Sequence, residues 1–259
     1  AVAVVVAGLL TAGSGHVQGQ LVAEEQPAKM AAAEALCSTE SGAGFTVAAF
    51  GDCDSGVTRI ASVPNVYSFM ATNDPNARVM GLDDAQAMYE QRYGAGVDYT
   101  PDVATTFWSF RLMIGLGVLS LLIGAVGLWL IRKDRLITSP RLGRIALWTL
   151  PLPFLASTFG WIFTEIGRQP WVVAPNLADP VAQVYMLTSD GVSTVVSSPT
   201  VLASMVLFTL LYAALGIIWF VLVRRYVREG VRTQTEESVE LVGRAASRRA
   251  PVPVLSFEY

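Results

Sequence analysis

Three stretches of this sequence place polar or soft side chains where an apolar chain has least reason to hold them. In "GWIFTEIGRQPW" (160–171), Glu165 stands one residue past twenty uncharged residues (145–164), and Arg168 follows three residues later. A carboxylate at the hydrocarbon edge is costly and marks a functional path or a bound cation. Arg168 at i+3 is placed to pair with it, to hold it ionised or to take an acidic cofactor group. Spacing alone leaves these readings open, and Trp161 and Trp171 at either end also suit plain interface anchors. In "FWSFRLMIGLG" (107–117), Arg111 opens an apolar run and Met113 lies two residues further in. A thioether there packs well, and it also serves as an axial haem ligand that favours the reduced state, with Arg111 placed to meet a propionate. In "QPAKMAAAEAL" (26–36), Gln26, Lys29 and Glu34 punctuate an alanine-rich run. Lys29 and Glu34 are five residues apart, about 140° around a helix, so they form no pair along it. They are either solvated positions or the flanks of a small polar ligand docked at a membrane face.

The elements that must position these residues are membrane helices. The 259 residues are 53% hydrophobic and only 15% charged, against about 25% charged in a soluble domain. Mean hydropathy is +0.47. Three uncharged runs reach the roughly 20 residues that cross a bilayer: 112–131, 145–164 and 201–223. The opening run 1–15 is apolar but too short, and it lacks the basic start of a signal peptide. It reads as the end of a helix whose beginning lies outside this sequence, which makes the chain a fragment or the C-terminal half of a larger protein. The net charge of −3 gives no basic excess to meet nucleic acid.

Lys and Arg set the orientation. The link 132–144 holds five basic residues and the tail opens "RRYVREGVR" with four, whereas residues 12–106 hold four against twelve acids. The expected order is therefore a truncated helix end (1–12), a long extracytoplasmic segment (13–106), a span (107–131) and a cytoplasmic link (132–144). A second span (145–164), an extracytoplasmic segment (165–200), a third span (201–223) and a cytoplasmic tail (224–259) follow. The fold class is an all-α, polytopic transmembrane helix bundle with a long extracytoplasmic loop. Within 13–106, "EEQPAKMAAAEAL" predicts a helix with Pro27 in its first turn. "FTVAAF" and "VTRIASV" around "GDCDSG" predict a hairpin, and "GLDDAQAMYEQRYG" predicts a second short helix. Nothing there predicts a large separate core, so a lid-like loop, partly mobile, is expected on the membrane face. The tail 230–259 is expected to be disordered. Cys37 and Cys53 share this loop, and an oxidising compartment permits a disulfide between them.

Together the three stretches resemble subunit I of cytochrome bd quinol oxidase. The run GW…E.GRQPW is the most specific piece and resembles that family's signature. "FWSFRLMIG" resembles the segment that carries its methionine haem ligand, and "GSGHVQGQLVAEEQPAKMAAAEAL" resembles the start of its quinol-binding loop. The resemblance covers nearly the whole chain but only about the C-terminal half of the family's subunit. It implies a terminal oxidase of the bacterial cytoplasmic membrane that takes electrons from quinol at the outer face. They pass through low-spin haem b and high-spin haem b to haem d, where O2 becomes water.

Residue by residue, the resemblance makes Met113 the axial ligand of the low-spin haem b iron and Glu165 the ligand of the high-spin haem b iron. Arg111 and Arg168 would neutralise propionates, with Trp171 and Gln26 joining the cofactor-binding set. Lys29 and Glu34 would form the quinol-oxidation pair. The implied partners are subunit II, the N-terminal half of subunit I, quinol, O2 and the lipid membrane, with no nucleic acid. The family's haem-ligating histidines are absent. The single histidine, His16, reads as a quinol-face or structural residue. The rival reading is a membrane scaffold or transporter fragment in which Glu165 and Arg168 form only a structural pair.

Overall fold

The computed structural model describes residues 2–132, 139–177 and 184–229. The described elements run α1 (Val2–Glu25), α2 (Pro27–Glu34), β1 (Glu40–Ser41), β2 (Phe45–Phe50), β3 (Thr58–Val63), α3 (Val66–Thr72), β4 (Arg78–Val79) and α4 (Leu82–Tyr93). Then come α5 (Val103–Leu130), α6 (Pro140–Thr149), α7 (Leu152–Gly167), β5 (Trp171–Val173), β6 (Met186–Leu187) and α8 (Ser198–Glu229). The protein is predominantly helical and an integral membrane protein. Three antiparallel two-stranded ribbons, β1–β4, β2–β3 and β5–β6, decorate it.

Four stretches, not three, are long and apolar enough to cross a bilayer: Val2–Glu25, Val103–Leu130, Pro140–Gly167 and Ser198–Glu229. The first departs from the expected boundary at residue 12. The helix does not end at the glycine-containing "AGSGH" but continues through the polar turns with His16 and Gln20 to Glu25, so 24 residues rise about 36 Å. Those polar residues face the neighbouring segments, a tertiary contact that hydropathy does not register. The other helices also overrun the uncharged cores that announce them. Asp102 caps α5, its carboxylate accepting from the Thr105 N–H at 2.7 Å. Glu165 lies inside α7, not beyond it. Pro151 and Pro153 interrupt the third stretch, and α6 and α7 meet at that break. The tail beyond residue 229 and residues 133–138 of the link lie outside the described residues.

The 13–106 segment, from which no large separate core is expected, supplies much of a core shared with α5 and α7. Most of the buried apolar side chains come from this segment and from the first turns of α5, among them Leu36, Tyr67, Leu82, Tyr89, Tyr99 and Phe107. The Ala-rich α2 is buried over its whole length, including Lys29, Met30 and Glu34. This core sits on one end of α1, α5 and α7. It packs on the C-terminal turns of α1, the N-terminal turns of α5 and the end of α7 at Phe163 and Gly167. Below it, α1 and α5 approach closely: a Cβ on Gly8 would fall 2.8 Å from Leu121, and one on Gly124 would fall 2.8 Å from Val4. Small residues at such a seam are what allow membrane helices to pack without a hydrophobic driving force. The unit 193–259 contributes α8, apolar from Val201 to Val223 and ending in Arg224, Arg225 and Arg228.

Cys37, just past α2, is joined to Cys53 in the β2–β3 turn. The bridge spans 16 residues and ties the hairpin to the helix that carries Lys29 and Glu34. Closing such a loop stabilises by about 3 kcal/mol, less any strain. Thiol labelling of the denatured chain should therefore require prior reduction. Equal labelling with and without reductant would show that the bridge does not form.

Candidate functional site

The short helix α2 lies across the ends of α5 and α7, and its two charged residues address different helices. On one side, Glu34 is 2% exposed. Its Oε2 accepts from Arg111 Nη2 at 2.5 Å and from the Thr46 N–H at 3.1 Å. Arg111 Nε donates to the Thr46 carbonyl at 2.5 Å. The guanidinium lies over the Phe45 and Phe107 rings at 4.0 and 4.5 Å from their centroids, an arrangement worth more where water is excluded. Burial pushes the Glu34 carboxyl up to about 7, against the pull of Arg111, the Thr46 N–H and the more distant Arg59.

On the other side, Lys29 is 6% exposed, with its Nζ 4.9 Å from the Phe163 ring centroid. The approach is close at Gly167, where a Cβ would come 3.0 Å from Lys29 Cγ and 3.2 Å from Thr106. Burial, then the Arg168 charge, lowers the Lys29 pKa, while Glu165 raises it. Arg168 Nη2 donates to Glu165 Oε2 at 2.6 Å, both side chains staying partly exposed. A cavity of about 10 Å³ is lined by Gln26, Lys29, Arg168 and Trp171 among others. Trp171 stacks on Tyr99 at 5.2 Å and meets Tyr89, Tyr93 and Tyr185 at 5.6, 5.4 and 5.9 Å.

Met113 lies in the seam between α5 and α7. A Cβ on Gly160 would fall 2.8 Å from its sulfur. The thioether therefore touches the helix that carries Glu165, five residues further on. His16, inside α1, has its Nε2 3.0 Å from Asn73 Oδ1 and 3.3 Å from Gln20 Nε2, and its ring stacks near Phe69. It borders a cleft of about 540 Å³ lined by Gln20, Glu24, Tyr67, Asn73 and Arg78 among others.

The structure thus brings Gln26, Lys29, Glu165, Arg168 and Trp171 together and sets Glu34 with Arg111 in a second cluster. The residues fit a haem on three counts. Met113 offers a soft ligand and Glu165 a hard one. Arg168 Nε and Arg111 Nη1 are buried donors with no partner among the described residues, as is Trp171 Nε1, and these suit carboxylates brought by a cofactor. Among the described residues no three His, Cys, Asp or Glu side chains cluster. Sequence reading missed Thr46, Phe163 and the tyrosines around Trp171. Thr46 and the tyrosines are gathered by the fold from distant segments, and Phe163, inside the GWIFTEIGRQPW stretch, reads there as one more apolar residue of the span.

Residues 1–231 match the family described as "Cytochrome bd terminal oxidase subunit I". The chain belongs to this family. Over 236 residues it is 38% identical to "Cytochrome bd ubiquinol oxidase subunit 1" of Bacillus subtilis, covering 90% of this chain and 48% of that relative. Over 212 residues it is 32% identical to "Putative cytochrome bd menaquinol oxidase subunit I" of the same organism, covering 80% and 42%. The solved bd oxidase of Geobacillus thermodenitrificans superposes with a TM-score of 0.68 at 29% identity, covering 86% of this chain and 47% of that one. The chain thus spans about half the length of these cytochrome bd relatives. The two Bacillus subtilis cytochrome bd relatives are named for different quinols, ubiquinol and menaquinol.

Proposed function

We propose that this chain is the C-terminal, quinol-facing and haem-holding portion of a bd-type quinol:O2 oxidoreductase. It would be completed by the N-terminal half of subunit I and by subunit II in the bacterial cytoplasmic membrane. The observation that carries the reading is the position of α2. One buried helix sets Glu34 on Arg111, two residues before Met113, and sets Lys29 beside the Glu165–Arg168 pair. Residues suited to accept protons from a quinol are therefore in direct contact with residues suited to hold haem.

In this reading Met113 would hold the low-spin haem b iron and Glu165 the high-spin haem b iron, with Arg111, Arg168, Trp171 and Gln26 around their polar edges. The bound haems, with haem d from the completing half, supply the one-electron steps and the reduction of O2. Glu34, pushed towards neutrality by burial, is poised to take a quinol proton near working pH. Lys29, its charge disfavoured by burial, would hydrogen-bond a quinol oxygen. The segments that follow α1 and α7 would lie outside and the C-terminus in the cytoplasm, since the core formed by 27–110 closes the end of α5 opposite the basic link.

The pair of the scaffold reading does form. Pairing leaves Arg168 Nε buried without a partner, however, and family membership favours the oxidase. Lys29→Ala and Glu34→Ala, each in the complete oxidase, should lower quinol turnover by about 10²-fold or more, the usual contribution of a positioned acid or base, at unchanged haem content. Loss of haem with full turnover per remaining haem would contradict the assignment.

A further inference from the structure

Thr46, on β2, is fully buried at 0% exposure. Its main chain clamps two charged groups at once, the N–H donating to Glu34 Oε2 and the carbonyl accepting from Arg111 Nε. Those contacts need only a backbone. Its hydroxyl, by contrast, has no protein partner among the described residues, and neither has the other carboxylate oxygen, Glu34 Oε1. Valine would fill a buried, β-branched strand position without burying a polar atom, so packing does not account for a threonine there.

We propose that Thr46 is a positioning residue of the quinol site, its backbone fixing one oxygen of Glu34 and its hydroxyl serving the other oxygen or the quinol hydroxyl that docks against it. The proposal rests on the reading of Glu34 as the quinol-site acid. The charged and titratable groups facing Glu34 are Arg111 from α5, Arg59 from β3 and Tyr67 from α3. Arg59 is held on the Ala35 carbonyl and on Glu40. Tyr67 is kept protonated by burial and by the Glu34 charge. Glu34 is therefore the group of this set that changes charge near neutrality. In the quinol complex, a hydroxyl turned to donate to the carboxylate favours its charged form, so removing it moves the Glu34 titration upward.

The test uses the assembled oxidase. Thr46→Val keeps both main-chain contacts and removes the hydroxyl, and Thr46→Ser restores it. The expected result for Thr46→Val is unchanged haem spectra, kcat with quinol lowered about tenfold, and an acid limb of the kcat–pH profile moved up by about one unit, with Thr46→Ser close to wild type. If valine blocks assembly, Thr46→Ala is read against Thr46→Ser by the same criteria. Wild-type kcat and pH profile in Thr46→Val, with Glu34→Gln inactive, overturn the role of Thr46 and leave that of Glu34 standing. Full activity in Glu34→Gln overturns the underlying reading. Equal losses in valine and serine variants with an unmoved pH profile assign Thr46 a structural role and also overturn the proposal.

Discussion

Met113→Leu, introduced into the complete oxidase, will remove the low-spin haem b signal while the subunit still inserts and assembles. Leucine nearly conserves volume and apolarity, so packing changes by less than about 1.5 kcal/mol. The substitution is not sterically free, because the sulfur lies against Gly160, where a Cβ would come within 2.8 Å. That contact fixes where the thioether sits, and a branched side chain meets the same helix. What leucine lacks is the sulfur lone pair. A low-spin haem iron needs two strong axial ligands, and His16, the one histidine of this chain, is engaged with Asn73 and Gln20 near the end of α1. The spectrum should turn high-spin or be lost, and reduction by quinol should fall by an order of magnitude or more. An artificial reductant should still reach the remaining haems. An unchanged low-spin spectrum together with unchanged quinol oxidation would make Met113 a packing residue.

The second large effect lies in the Glu34–Arg111 pair. Both side chains are at least nine-tenths buried, at 2% and 8% exposure. Breaking a buried pair by removing one partner costs about 3–5 kcal/mol, because the survivor is left charged and unsolvated. Arg111→Met should therefore lower the thermal midpoint of the assembled subunit sharply at pH 8. At pH 5 the loss should be smaller, since Glu34 then sheds its charge. Glu34→Gln/Arg111→Met, with no charge left in the site, should be milder than Arg111→Met alone.

The wild type carries the same signature. Burial raises the folded pKa of Glu34 from 4.5 to about 7. The raised pKa contributes stability that is fully present below about 4.5 and is lost as pH rises through about 7. Melting midpoints across that window should fall with pH in the wild type and fall less in Glu34→Gln. Equal slopes would mean that Glu34 is not buried as described.

Much of this arrangement is legible in the chain because bilayer spans announce themselves by length. The runs at 112–131 and 201–223 each lie within or largely within one observed helix, and 145–164 runs from α6 into α7. Local chemistry was equally plain elsewhere: Pro27 opens α2, "GDCDSG" turns the β2–β3 hairpin, and Leu82–Tyr93 is helical. Two features were not legible. The continuation of α1 past Gly15 depends on neighbours that accept His16 and Gln20, and hydropathy averages over them. The core of 27–110 is assembled from alanines and scattered tyrosines, which carry no periodic signal strong enough to announce a packed unit.

The site divides in the same way. Glu165, Arg168 and Met113 stood out because polar or soft groups are rare inside apolar runs. Glu34 and Arg111, 77 residues apart, share a contact that no spacing rule reveals. Thr46 bridges them from a third segment.

In the proposed function this chain would supply one axial ligand to each of two b haems. The most direct measurement is the reduced-minus-oxidised visible spectrum of the purified complex of this chain, the N-terminal half and subunit II, recorded alongside Glu165→Gln and Met113→Leu. The account predicts both b-haem contributions in the wild type, selective loss of the high-spin contribution in Glu165→Gln and of the low-spin contribution in Met113→Leu. A haem-free wild-type complex, or both contributions intact in both variants, would contradict it.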